Sequence, residues 1–182
     1  MVAYFNKEYA TTELKRDLLY EKIPEEDREK ISDNAWQTGV RVAHEHLQKR
    51  SYRSAEEWIQ AEQITLECVD VDQILGDIRY YSVYIPDELK IFLYTHSVQK
   101  WAIDHSLTEK DAKSIILAHE LYHHLEYTEL EEAAKQYMVP RIKIGTLQLG
   151  KSSVQALSEI AAHGFAYACY KYWKQQPDVS NE

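Results

Sequence analysis

The sequence predicts an α+β fold: a small, mostly antiparallel sheet packed on one long apolar helix, with a second helix beside it and further helices at the N-terminus. Three observations predict it. An uncharged run leads into His119-Glu120-Leu121-Tyr122-His123 with helical periodicity. Runs rich in β-branched and aromatic residues lie between Ile64 and Tyr94. The segment from Ser153 to Trp173 is again periodic at helical spacing.

Taken in chain order, a charged segment from Glu8 to Tyr20 is expected to be helical and to break at Pro24. A second helix starts at Glu25 or Asp33 and runs to Lys49, with Trp36, Val40, Ala43 and Leu47 on its inner stripe. Ser54 is placed to cap a short helix through Gln60. Strands are expected over Ile64–Val71, Arg79–Ile85 and Lys90–Tyr94, the last two joined by a Pro86-Asp87 turn into a hairpin.

Ser106 or Thr108, each with an acid three residues on, supplies the cap of the next helix. On it, Ala112, Ile115, Ile116, His119, Tyr122 and His123 form one stripe and Leu117, Leu121 and Leu125 a second, so the helix is buried on two sides. Pro140, Gly145 and Gly150 then interrupt a stretch holding Arg141-Ile142-Lys143-Ile144 and Leu147-Gln148-Leu149, a small hairpin or a mobile flap. These elements divide into an N-terminal helical segment over 1–50 packed on a core of 51–175, followed by a polar tail over 176–182.

Composition bounds the function. A chain of 182 residues with 45% apolar content and 14 Tyr folds around a substantial core. The net charge of −9 comes without a Lys/Arg-rich patch, which argues against nucleic acid as a partner. Cys68 and Cys169 are distant and form no disulfide framework, as expected of a reducing cytoplasm. No apolar signal core or membrane-length run is present, so a soluble intracellular protein is expected, with no membrane partner.

The chemistry lies in His119-Glu120-x-x-His123. Residues four apart on a helix stand one turn above each other, so both imidazoles reach one metal ion. Glu120 projects from the neighbouring stripe, where it serves as general base toward a water on the metal. With 8 His in 182 residues, this pattern arises by chance only about 0.04 times per chain.

A catalytic zinc usually takes three protein ligands. A metzincin would need a Gly at position 126 and a His at position 129, where this chain has Glu126 and Glu129. A gluzincin instead takes a Glu from a later helix. Ser158-Glu159-Ile160-Ala161-Ala162-His163-Gly164-Phe165-Ala166 supplies Glu159 as third ligand, on a helix whose small residues permit close packing. His163, four residues on, shares its face and is either a residue that orients a ligand or a competing ligand. His124 faces away from the pair, and His44 and His46 are two apart and cannot share a face.

His-Glu-Leu-x-His-His followed by Glu-x-x-Ala-His-x-Phe-Ala resembles the ImmA/IrrE family of metallopeptidases. Aligning Phe165-Ala166 with that pattern puts Glu159 on the family's metal-binding Glu and His163 on its Asn or Asp position. Ile91-Phe92-Leu93-Tyr94 resembles the short strand that precedes the active-site helix. Tyr122 stands where the family usually has Gly, the spacer from His123 to Glu159 is long, and no helix-turn-helix region is evident. The resemblance covers about Ser82 to Tyr172. It implies selective cleavage of a cytoplasmic regulator, often a repressor encoded on a phage or mobile element.

The element order suits a minimal zincin-like fold. Lys90–Tyr94 is the candidate strand near the site, where an edge would take an extended peptide as an added strand, or else an ordinary core strand. The leading expectation is a zinc-dependent endopeptidase with one Zn2+ per chain, Glu120 as general base and His119, His123 and Glu159 as ligands, acting on a protein or peptide. A Tyr or His would stabilise the oxyanion. A non-catalytic metal-binding module that sequesters a protein partner is the alternative. A structural domain with an accidental motif is the third.

Overall fold

A computed structural model describes residues 7–144 and 147–176. The fold is α+β. Helices α1 (Lys7–Leu14), α2 (Glu25–Arg50) and α3 (Ala55–Ala61) precede strands β1 (Thr65–Val69), β2 (Gln73–Leu75), β3 (Ile78–Tyr80), β4 (Ser82–Ile85) and β5 (Lys90–Tyr94). Helices α4 (Thr95–Asp104) and α5 (Glu109–Thr128), the ribbon β6 (Met138–Ile144) and β7 (Leu147–Ser153), and α6 (Ala156–Gln175) complete it. Gly145 and the tail beyond Gln176 lie outside the described residues.

Local chemistry explains most boundaries. Pro24 precedes α2, whose first turn carries Glu25, Glu26 and Asp27 and whose last turn carries Lys49 and Arg50, each sign matching the helix dipole. The hydroxyl of Ser54 accepts from Glu57 N to cap α3, and that of Thr108 accepts from Asp111 N at 3.1 Å to cap α5. The first helix is shorter than expected, ending at Leu14 before a turn that runs to Tyr20–Lys22. Helix α4 was not expected: it follows β5 with no Gly or Pro between and has no side-chain cap.

The main sheet has the order β1-β5-β4 and is mixed. The hairpin β4–β5 is antiparallel around Pro86-Asp87-Glu88, as expected. Strand β1 pairs parallel to β5, from Thr65 opposite Lys90 to Val69 opposite Tyr94, so the sheet is not mostly antiparallel. The expected strand over Arg79–Ile85 is divided at Tyr81. Its first half pairs with β2 in a separate ribbon and its second half pairs with β5. Lys90–Tyr94 is the central strand, and β1 and β4 are the edges.

Strand β4 lies along α5 in a fixed register. Ser82 and Tyr84 point to the same face and bond Glu120 and His124, which are one helical turn apart. Two strand residues advance about 6.6 Å and four helical residues about 6.0 Å, so the contacts align.

The larger core lies among α2, α3, α5, α6 and the sheet, with Trp58, Tyr122 and Phe165 fully buried. A smaller core joins α1, α2, the first turns of α6 and Val139. Helices α2 and α6 cross at two glycines. A Cβ on Gly39 would sit 1.8 Å from Ala161 O, and one on Gly164 would sit 2.3 Å from Trp36 O. Backbone touches backbone there, and no side chain fits. Among the described residues no helix is long and apolar enough to cross a membrane.

This crossing gives a prediction with a diagnostic sign. Alanine normally stabilises a helix over glycine by about 1 kcal/mol. Gly164→Ala should instead lower stability by roughly 1–3 kcal/mol, because the helices must separate. Urea unfolding of the metal-free protein checks it, and a stabilised variant would mean that α2 and α6 are not in backbone contact.

Candidate metal centre

Helices α5 and α6 bring the expected ligands together. His119 Nε2 lies 3.1 Å from His123 Nε2 and 3.2 Å from Glu159 Oε2, and His123 Nε2 lies 3.5 Å from Glu159 Oε1. Zinc–ligand bonds of about 2.0–2.1 Å in a tetrahedron require ligand atoms about 3.3 Å apart. The separation of the two imidazole nitrogens is close to that edge length, and Glu159 meets the histidines through different carboxylate oxygens, Oε2 on His119 and Oε1 on His123. Among the described residues these three form the one His/Cys/Asp/Glu group with converging ligand atoms. Two imidazoles and a carboxylate are a donor set that suits zinc.

Burial alone would strip a proton from His123, but the carboxylates of Glu126 and Glu159 outweigh it and raise the imidazole to about 10. Burial also opposes ionisation of Glu159, and its bonds to His119 and His123 reverse that and hold it far below the usual carboxylate range.

Glu120 sits beside the triad and outside it. It is 7% exposed, and Ser82 Oγ donates to its Oε1 at 2.5 Å. The bond fixes one carboxylate oxygen from the sheet.

Glu126, three residues beyond His123, completes the support. Its Oε1 accepts from Ala133 N at 2.7 Å and from Ser158 Oγ at 3.0 Å, while its Oε2 faces His123 Nδ1 at 3.5 Å. A carboxylate at Nδ1 favours the tautomer with its proton there and frees Nε2 for a metal. One buried side chain thus joins the second histidine, the loop after α5 and the residue before Glu159.

Four other histidines take other places. The ring of His163 lies 4.8 Å from that of His119, and burial, then the His119 charge, lowers it to about 3. It belongs to the wall around His119 and not to the converging group. His124 is buried, with Nδ1 2.7 Å from Tyr84 Oη. His46 stacks on Trp58 at 5.6 Å, and His44 is exposed. Tyr122 packs at 5.6 Å from Phe165 inside the core, where burial raises its hydroxyl.

A cleft of about 840 Å³ opens over the triad. Strand β4 forms one wall, and Glu13 and Arg16, paired at 2.9 Å, stand on another. Sequence reasoning missed Ser82, Glu126, Tyr84 and Arg16. Only Glu126 left a signal there, an acid on the ligand stripe of a helix otherwise apolar on that side. No protein-family model matches the chain, and no curated protein or solved structure matches it.

Two outcomes follow from the geometry. Glu126→Gln should weaken zinc binding by about 10–100-fold in chelator competition while leaving the fold intact by circular dichroism. Unchanged affinity would remove Glu126 from the site. The second concerns pH. The raised His123 proton affinity stabilises the metal-free fold fully below 6.5, and that contribution is lost as pH rises toward about 10. Zinc needs the neutral imidazole, so the rise in melting temperature on adding zinc should grow across the same interval. A zinc increment independent of pH would contradict the assignment.

Proposed function

We propose that the chain is a zinc-dependent endopeptidase of the HExxH-plus-Glu type, with a minimal zincin-like core. The observation that carries this reading is the convergence of His119, His123 and Glu159, each histidine Nε2 within 3.5 Å of a Glu159 oxygen, with Glu120 held beside them. An open cleft bordered by an edge strand supports a polypeptide substrate over a small molecule. An extended chain added alongside β4 would lie over the triad.

When bound, zinc supplies a Lewis acid for the scissile carbonyl and for the attacking water. His119, His123 and Glu159 hold it, and Glu126 keeps His123 turned toward it. Glu120 accepts a proton from the attacking water and delivers it to the leaving amine. Ser82 limits the rotation of that carboxylate by holding one oxygen, which leaves the other for the proton. The proposed physiological substrate is a cytoplasmic regulator such as a phage or mobile-element repressor, which rests on the resemblance to ImmA/IrrE peptidases.

Purified protein should carry about one zinc per chain, and His119→Ala should lose it. Glu120→Gln should retain the metal yet lower cleavage of a random dodecapeptide library, read by mass spectrometry, by about 10²-fold or more. Retained cleavage would remove Glu120 as the base. Equal binding of a co-expressed partner by wild type and Glu120→Gln, with no cleavage by either, would establish a sequestering module instead.

A further inference from the structure

The ribbon β2–β3 stands on the rim of the cleft and has no core of its own. It has only three residue pairs, closed by a turn in which Gly76 takes a φ of 61°. A two-stranded ribbon of this size is marginal by itself. It is held from outside. Asp72, just before β2, accepts from Arg79 Nε at 2.8 Å and Ser97 Oγ at 3.1 Å and also pairs with Lys100, while Gln73 N donates to Ser97 Oγ at 2.9 Å. The ribbon is thereby tied to α4 through Asp72, which Arg79 on one face of the ribbon also grips.

The opposite face carries an open apolar pair beside Tyr80 and Gln73, while Ile74, 49% exposed, lies with Arg79 on the tied side. Leu75 and Ile78 are directly opposite each other across the ribbon and are 68% and 60% exposed. Tyr80 continues the same face, and Ile78 and Tyr80 also line the cleft. Single exposed aliphatic residues need no explanation, but a cross-strand apolar pair fixed at the edge of a catalytic cleft does. The chain runs from this face into β4 through Tyr81 alone. From Ile78 to Ser82, the residue on Glu120, extended backbone covers only about 13 Å.

We infer that the outer face of β2–β3 is a docking surface for aliphatic side chains of an extended polypeptide, within about four residues of the bond held at the triad. This rests on the peptidase reading of the site. The occupant follows from continuity: a chain laid along β4 and extended past Ser82 meets Tyr80, then Ile78 and, across the ribbon, Leu75. The anchor to α4 presents that face already ordered, so binding does not pay to organise it.

The test uses the full chain, zinc-loaded, with Glu120→Gln to prevent turnover. Two fluorescein-labelled dodecapeptides are compared by anisotropy, one with a Leu-Ile-Leu cluster and one with Ser at those positions. The aliphatic peptide should bind about tenfold or more tightly than its serine counterpart. In Leu75→Ser/Ile78→Ser on the same background the difference should fall below about twofold, with zinc content and melting temperature unchanged. A preference that survives the double substitution, equal affinities, or no measurable binding of either peptide overturns the inference. So does light scattering that shows a dimer converted to monomer by the double substitution, since a second copy would then cover the face. Ribbon-dependent binding with no cleavage by the wild type upholds docking and rejects the peptidase reading. Cleavage with a ribbon-independent preference does the reverse.

Discussion

The position of α6 is the constraint on which the site depends, and α2 sets it. Gly39 and Gly164 let the two helices meet backbone to backbone, closer than any side chain permits. Glu159 is less than two turns from that crossing on the same rigid helix, so the contact also fixes where its carboxylate falls. The other side of α6 packs against α5, where Phe165 meets Tyr122. Residue types that weaken an isolated helix are therefore placed where tertiary contact repays them. The N-terminal helices act as the template against which the helix carrying Glu159 is set.

Three carboxylates crowd around the imidazoles, and each has a separate place. Glu159 faces both Nε2 atoms, Glu126 faces the far nitrogen of His123, and Glu120 is tied to the sheet through Ser82. Such a concentration of negative charge in a half-enclosed pocket is costly unless it is balanced. In the metal-free protein the carboxylates raise the proton affinity of His123, which offsets part of that cost. A divalent cation held by His119, His123 and Glu159 would offset more of it. Glu126 links this electrostatic arrangement to the backbone, since Ala133 N and Ser158 Oγ share its other oxygen.

Much of this was legible in the residues. The spacing of His119 and His123, the capping residues Ser54 and Thr108, and the periodicity of α2, α5 and α6 are local signals, and local signals survive folding. What was not legible is contact between distant segments. Nothing in Thr65–Val69 says that its neighbour will be β5 or that it will run parallel to it. The run from Arg79 to Ile85 has strand composition throughout, yet it changes partners at Tyr81. Helix α4 lacks both punctuation and a side-chain cap, so its start left no mark. Ser82 is an ordinary strand serine until α5 places Glu120 beneath it, across 38 positions of sequence.

The paired contacts of Ser82 with Glu120 and Tyr84 with His124 have a consequence for how β4 can move. Side chains alternate along a strand, so a displacement of one residue would turn both hydroxyls away from the helix at once. The next arrangement that faces them inward again is two residues off, where Val83 and Ile85 still point outward but each hydroxyl meets the wrong turn of α5. The strand and helix therefore mesh like a toothed rack and pinion with very few teeth. The edge that borders the cleft meets Glu120 and His124 only in this register, and the geometry around Glu120 is inherited from it.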